Sequence, residues 1–502
     1  MVYFINMFDY RVILIFNILA IFSVVFIERK KPSEIISWIL VITFLPGIGF
    51  FLYLLIGETA SIKMTSRFGR KMLYDDTWRR RFNSLMTKNL ISGEIAHPGE
   101  DEKSGGGSKR LITDMPYKHA DIVEMIDRQG ASPLTNDNRI DVYTNANEKF
   151  DALYNDIRNA KTSVHMLYFT FNPDFVGARF IDLLAQKAAE GVEVRLLYDT
   201  IGNFPYRISD FKKIIQAGGK VFRFFPLINI LKVNYRNHRK IVVVDGRVAY
   251  TGGINISKSY VGGHKRAKPW RDTHIRLTGS CVSAFQERFL LDWIHCSKEH
   301  FNFDGISTQQ KYFPAPAPDD QGGVAVQAVS SGPDVEGEYI KYGYIKMIND
   351  AKSSLYMQSP YFIPDDAFML ALRLAVDSGV DVRIILPGIP DKRAVYLISR
   401  SYLKELRNTG VKIYLYDGFI HSKMIIMDGE VTSIGTANID IRSFLLDFEI
   451  NAFIYDEKFS ERCVNIFFDD IGHSREITYE QSDGGLFLRL VETVLRILSP
   501  LL

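Results

Sequence analysis

The sequence predicts an α/β protein built from two copies of one domain behind an N-terminal pair of apolar helices. Three observations carry that prediction. A nine-residue constellation occurs twice, as Asn-His-Arg-Lys-Ile-Val-Val-Val-Asp over residues 237–245 and Ile-His-Ser-Lys-Met-Ile-Ile-Met-Asp over 420–428. Flanking segments recur in the same order around both copies. The first 56 residues also hold two long apolar runs.

Each copy carries a His, a Lys two places on and an Asp five places after the Lys: His238, Lys240 and Asp245, then His421, Lys423 and Asp428. The apolar residues between Lys and Asp read as a buried strand, and alternation along it puts each His and its Lys on one face. Thr-Gly-Gly-Ile-Asn follows the first copy and Ile-Gly-Thr-Ala-Asn the second, ending at Asn255 and Asn438. The offset is 183 residues for both pairs (421 minus 238, 438 minus 255), so the blocks are in register. Upstream, Ile157–Val164 is similar to Ile348–Leu355, and Gly191–Leu197 to Gly379–Ile385. This is duplication of a whole α/β domain, on a period far too long for a solenoid.

A lone His-x-Lys before an apolar strand is usually a solvated strand start, because short motifs match by chance. Two copies in register, each with its Asp, Gly and Asn, reverse that judgement. An imidazole beside a fixed cation suits a phosphate, which needs both proton handling and charge neutralisation. No His or Cys spacing asks for zinc.

With these residues in view, the chain resembles the phospholipase D superfamily, whose signature is His-x-Lys-x4-Asp followed by Gly and Asn. The resemblance spans about residues 130–475. It implies a mixed sheet flanked by helices in each half, with both motifs meeting at one site. One His attacks phosphorus to give a phosphohistidine and the other protonates the leaving alcohol, without metal or other cofactor. In the family's usual order His238 is the nucleophile and His421 the general acid; the sequence leaves the swap open. Lys240, Lys423, Asn255 and Asn438 then hold phosphoryl oxygens. Asp245 and Asp428 count with the motif residues, although each lies beyond the strand and equally suits turn formation. Asp272 and Glu449 are candidates to orient the two imidazoles, with a salt-bridged surface acid as the alternative.

The N-terminal runs narrow the substrate. Spans are expected at about 11–28 and 35–56, with Asn17 interrupting the first and Pro46, Gly47 and Gly49 inside the second. Trp38 and Tyr53 stand near the ends of the second as interfacial anchors. No small-residue cleavage site follows the first run, against a signal peptide. Lys63, Arg67, Arg70, Lys71 and Arg79–Arg81 after the second run favour a cytoplasmic catalytic region and suit anionic head groups. Glu28-Arg-Lys-Lys-Pro-Ser, Phe44-Leu-Pro-Gly-Ile-Gly, Trp270-Arg-Asp-Thr-His, Ser331-Gly-Pro, Gln358-Ser-Pro-Tyr-Phe-Ile-Pro and Asp447-Phe-Glu-Ile-Asn extend the resemblance. They point to the bacterial cardiolipin synthases in particular. That resemblance implies a multi-pass enzyme of the bacterial cell membrane that joins two phosphatidylglycerol molecules into cardiolipin and releases glycerol. A phospholipase D hydrolysing lipid to phosphatidic acid is the alternative, and a non-catalytic scaffold is disfavoured by two intact motifs.

Composition agrees. A net charge of +3 and no stacking-rich basic stripe argue against a nucleic-acid partner. Three cysteines, Cys281, Cys296 and Cys463, lack paired spacing and suit reduced, buried thiols. The expected organisation is a hairpin over 1–60, a basic juxtamembrane segment and linker over 61–129, catalytic domains over 130–313 and 324–480, and a C-terminal amphipathic helix over 484–502.

Overall fold

The computed structural model describes residues 10–27, 32–50, 53, 117–130, 132–224, 235–262, 270–301, 305–318, 322–335, 337–406 and 409–477. The basic stretch 63–81 and the expected C-terminal helix 484–502 lie outside the described residues. The chain forms two compact units.

The smaller unit contains helix α1 (Tyr10–Phe22), which continues as a π-helical turn to Ile27, and helix α2 (Pro32–Phe44). Ala20, Val24, Ile42 and Tyr53 are buried together, with Trp38 packed edge-on to Tyr53 at 5.4 Å. Asn17 donates to the Ile42 carbonyl at 3.4 Å and accepts from the Gly47 amide at 3.4 Å. The polar interruption in the first run is thus a bond to the second helix. The expected second span does not continue as one helix. It stops at Phe44, before Pro46, and Gly47 takes a φ of +80° that side chains resist. No helix among the described residues is long and apolar enough to cross a membrane. Leu14, Ile15, Phe16, Ile18, Leu19, Phe22, Phe26, Ile36, Leu40 and Phe44 are nevertheless all exposed.

The larger unit is a mixed sheet flanked by helices. It opens with helix α3 (Ala120–Gly130). The first half then supplies β1 (Thr135–Tyr143), helix α4 (Ala146–Asn159), β2 (Ser163–Tyr168), helix α5 (Phe175–Ala189), β3 (Glu193–Asp199) and β4 (Lys220–Phe224). It continues with β5 (Arg236–Asn237), β6 (Ile241–Val244), β7 (Val248–Gly252), β8 (Trp270–Arg271), β9 (His274–Thr278) and helix α6 (Val282–Ser297). The second half repeats the plan with β10 (Val324–Ser331), helix α7 (Tyr339–Asp350), β11 (Ser354–Gln358), β12 (Phe362–Ile363), helix α8 (Asp366–Asp377), β13 (Asp381–Pro387), helix α9 (Arg393–Leu406) and β14 (Lys412–Tyr416). It closes with β15 (Phe419–Ile420), β16 (Met424–Met427), β17 (Val431–Gly435), β18 (Ile439–Asp440), β19 (Asp447–Tyr455), helix α10 (Glu457–Gly472) and β20 (Ser474–Glu476).

The strand order is β4-β3-β2-β6-β7-β9-β1 in the first half, continued by β10-β19-β17-β16-β11-β13-β14-β20 in the second. The halves meet at the antiparallel pair β1–β10, with Asn138 opposite Val324, and apart from the extra edge strand β20 the order reads as its own mirror image about that seam. In each half the first two parallel neighbours (β2–β3, β11–β13) are crossed by a helix, and an antiparallel hairpin (β6–β7, β16–β17) follows. Strands β6 and β16 are buried throughout, as their unbroken apolar runs require. One core packs α4 and α5 on β2 and β3 through Phe150, Leu153, Phe180, Leu184, Met166 and Leu196. The other gathers Met347, Phe368, Leu372, Ile384, Ile425 and Phe453. Helix α3, expected as linker, belongs to this second core: Ile122, Val123 and Ile126 are buried in it, and Gln327 donates to the Val123 carbonyl at 3.1 Å.

Candidate active site

The two motif histidines stand just ahead of β6 and β16, each tied to the other half. Strand β5 pairs in parallel with the start of β19, and the His238 amide donates to Phe448 O at 3.0 Å. Strand β15 pairs in parallel with β8, and the His421 amide donates to Arg271 O at 2.7 Å. The residue that follows each of these carbonyls is an acid. His238 Nδ1 therefore meets Glu449 Oε1 at 2.8 Å, and His421 Nδ1 meets Asp272 Oδ2 at 2.7 Å. Both pairs cross between the halves.

Each motif lysine lies on the same face as its histidine. Lys240 Nζ donates to His238 O at 2.6 Å and Lys423 Nζ to His421 O at 2.5 Å. All four side chains are buried. Burial pushes both imidazoles well below their usual range, and the two ammonium groups push in the same direction. Burial lowers Lys240 to about 7 and Lys423 to about 8, against the pull of Glu449 and Asp272. It raises both carboxyls to about 7, which nearby lysines oppose. His238 and both lysines act electrostatically on His421, so the two motifs share one low-dielectric site.

Asn255 accepts from the Thr170 amide at 3.1 Å and donates to Tyr260 Oη at 2.9 Å. Asn438 donates its amide N–H to Ser443 Oγ at 3.2 Å, while its buried side-chain Oδ1 has no partner among the described residues. An unanswered buried carbonyl oxygen costs free energy unless something fills the site.

Asp245 and Asp428, counted with the motif on spacing, face away from this chemistry. Asp245-Gly246 and Asp428-Gly429 are hairpin turns in which all four residues have positive φ, +55° and +66°, then +53° and +68°. The Asp245 carboxylate accepts from the amides of Lys161, Thr162 and Ser163 at 2.7–2.9 Å. Asp428 does the same for Lys352, Ser353 and Ser354 at 2.8 Å. Both acids pin the start of the neighbouring parallel strand, β2 or β11, a turn-side role that their place beyond the strand also suits.

Comparison with known proteins follows this geometry. A family described as "Cardiolipin synthase, PLD-like domain" matches residues 153–266 and 344–471, and one described as "Phospholipase_D-nuclease N-terminal" matches 15–58. The major cardiolipin synthase ClsA of Bacillus subtilis is 42% identical over 494 residues, covering 97% of this chain and 98% of that one. The chain belongs to the cardiolipin synthase family. It is accordingly a phosphatidyltransferase of the phospholipase D type. A cardiolipin synthase of Listeria monocytogenes is 41% identical over 498 residues, covering 98% of each chain. Among solved structures, the phosphatidylserine synthase of Haemophilus influenzae shares the fold, with a TM-score of 0.57 over 76% of this chain and 99% of that one at 16% identity.

Within this cardiolipin synthase fold, several site residues escape motif reading. Thr436 Oγ1 and Ser443 Oγ approach the Glu449 carboxylate at 2.5 and 2.9 Å. Tyr260 Oη sits 3.4 Å from His421 Nδ1 and carries the Asn255 amide. Arg239, fully buried between the motif His and Lys, bonds Asp292 at 2.9–3.0 Å, Asp334 at 3.3 Å and the Glu449 carbonyl at 3.1 Å. Beside the other histidine, Arg271 of the first half grips Asp470 of the second at 2.7 and 3.0 Å. Arg239 had one signal in the sequence, a cation inside a motif otherwise buried. Arg271 stands in the Trp270-Arg-Asp-Thr-His segment, but nothing there points to Asp470, 199 residues away. Thr436 in Ile-Gly-Thr-Ala-Asn is likewise silent about Glu449, and Ser443 and Tyr260 belong to no motif read from the sequence.

Proposed function

We propose that this chain makes cardiolipin, moving a phosphatidyl group from one phosphatidylglycerol to the primary hydroxyl of another and releasing glycerol. The crossed pairs His238–Glu449 and His421–Asp272 carry the reading, because they offer two neutral imidazoles with their Nε2 atoms available beside two lysines.

The carboxylates differ in a way that supports His238 as nucleophile. Thr436 Oγ1 accepts from the Ile450 amide at 2.9 Å and Ser443 Oγ from the Asn438 amide, so each hydroxyl has its proton left for Glu449. Two such donors favour a charged Glu449. It then accepts the proton on His238 Nδ1 and leaves the Nε2 lone pair for phosphorus. Asp272 receives one backbone N–H, from Thr273 at 2.7 Å. With that single donor, its carboxyl is the one of the two better placed to hold a proton toward His421 Nδ1, which leaves Nε2–H to protonate the departing glycerol oxygen.

In the first step the Nε2–P bond forms at His238, the P–O bond to glycerol breaks, and glycerol leaves with the proton from His421. In the second, a phosphatidylglycerol hydroxyl loses its proton to His421 Nε2, its oxygen bonds phosphorus, and the P–N bond to His238 breaks. Lys240, Lys423, Asn255 and the Asn438 side chain hold the phosphoryl oxygens as charge develops there. The domain boundaries at 130–313 and 324–480 go with this reading, the β1–β10 seam dividing the halves.

The N-terminal unit is a membrane hairpin, with the catalytic region on the cytoplasmic face of a bacterial cell membrane. Support comes from the exposed apolar surface of α1 and α2 and the basic residues that follow in sequence. The test supplies membranes carrying the protein with labelled phosphatidylglycerol and no nucleotide. Cardiolipin with matching glycerol is expected. Phosphatidic acid alone would make water the acceptor and overturn the transferase.

A further inference from the structure

The loops after β3 and β13 occupy matching places in the two halves, yet they bring opposite chemistry to the site. After β3, Asn203 turns inward, accepting from the Phe171 amide and donating to the Phe169 carbonyl, both at 2.7 Å. Phe169 packs on His238 with ring centroids 5.0 Å apart, and Phe204 stands 74% exposed beside Asn203. No charged side chain occurs in this loop between Asp199 and Arg207.

After β13, the loop leans toward the other histidine. The Ile389 amide donates to Gly418 O at 3.0 Å, just before the strand that leads to His421. Asp391 and Lys392 follow, both exposed. Tyr361 Oη donates to Asp391 Oδ2 at 2.7 Å, and Lys392 Nζ lies 6.0 Å from the Tyr361 ring. A narrow cleft here is lined by Tyr361, Asp391, Lys392, Tyr396, Arg400 and Phe419. Phe419 stacks on His421 at 5.8 Å and so forms a wall common to the cleft and the catalytic centre. Lys392 acts electrostatically on His421, and Asp391 on Lys423.

We propose that this cleft is the subsite for the acceptor alcohol, with Asp391 and Tyr361 holding a vicinal diol and Lys392 facing the anionic phosphodiester that carries it. The inference rests on the transfer reaction proposed above and adds where the acceptor binds. A carboxylate that already accepts from Tyr361 keeps lone pairs for further hydroxyl donors. A diol held there places one hydroxyl on the His421 side, where its proton passes to Nε2 as its oxygen bonds phosphorus and the P–N bond to His238 breaks. The same subsite receives the glycerol that leaves in the first step, because both steps share one geometry in opposite directions.

The test uses the full-length protein in phosphatidylglycerol mixed micelles with glycerol or propanol added as competing acceptor. A polar site that reads a hydroxyl loses discrimination when its partner is removed. Asp391→Asn is expected to lower the ratio of glycerol to propanol transfer about tenfold, and Tyr361→Phe to lower it in the same direction by less. Lys392→Gln is expected to lower use of phosphatidylglycerol against free glycerol by about fivefold, an effect that shrinks in salt. A fall in overall activity with both ratios unchanged would overturn the subsite, since misfolding lowers all acceptors alike. If the unaltered protein makes no cardiolipin, the reaction itself has failed; if it does and the ratios hold, only the subsite has.

Discussion

Around His238 the partner carboxylate is gripped by two hydroxyls, whereas around His421 it occupies space that a glycine leaves open. The difference comes from matching positions in the two repeats. Gly252-Gly-Ile-Asn255 aligns with Gly435-Thr-Ala-Asn438, so Gly253 stands where Thr436 does. A Cβ on Gly253 would lie 1.9 Å from the Asp272 Oδ1 atom, so no side chain fits there beside Asp272. Thr436 instead turns its hydroxyl onto Glu449. Five residues past each Asn the halves diverge again: Tyr260 reaches toward His421, and Ser443 reaches the partner of His238. A duplicated site with identical His-Lys pairs thereby acquires two proton environments, which is what separate nucleophile and acid roles require.

The sharpest way to break this comparison is to remove each histidine in turn. His238→Ala and His421→Ala are each expected to lower cardiolipin formation by about 10⁴-fold or more. They should differ with a lipid whose leaving group needs no protonation, which His421→Ala still consumes and His238→Ala does not. Equal rescue of both variants in a single-turnover assay would erase the distinction. Next, Glu449→Gln should lower kcat by about 10³-fold, because an amide does not draw the proton from Nδ1 and hold the Nε2 lone pair free. Asp272→Asn should fall less for the same good leaving group, and an equal loss would count against the assignment.

A smaller effect reads the hydroxyl grip directly. With both carboxyls near 7, the rate should fall toward acid as Glu449 takes up a proton and toward alkali as the Asp272–His421 pair loses one. Thr436→Val removes a donor that favours charged Glu449, so its pKa rises and the acid limb moves to higher pH. About a tenfold loss in kcat at neutral pH follows, shrinking as pH rises. A pH–rate profile that drops uniformly without moving would show that Thr436 acts only in packing. The smallest effect on chemistry is expected for Asp245→Ala, which strips the acceptor from three amides ahead of β2. It should cost about 1–3 kcal/mol in stability by denaturant titration. The folded variant should keep its kcat, and a large kcat loss would return Asp245 to the catalytic set.

Much of the catalytic half of this account was legible along the chain. The runs Ile241–Val244 and Met424–Met427 announced buried strands, and the 183-residue offset announced the repeat that the mirrored strand order displays. The crossing of the pairs was not legible, because Glu449 lies 211 residues from His238 and Asp272 149 residues from His421. No local rule spans that distance. Arg239 stands between His and Lys in the motif, and only folding brings Asp292 and Asp334 onto it. Ile122, Val123 and Ile126 stand at helical spacing in α3, but the core they join lies in the far half of the chain, which no local pattern reveals. Hydropathy alone presents the second apolar run as one span, because it does not register the turn at Pro46-Gly47.

The central claim is that the two halves divide the chemistry, with His238 bonding phosphorus. The most direct measurement mixes the protein with phosphatidylglycerol labelled at phosphorus, quenches within one turnover, and maps the labelled residue by peptide mass spectrometry. Label on His238, appearing before cardiolipin and discharged as cardiolipin forms, is the predicted result. Label on His421, or turnover with no covalent label at any time, would contradict it.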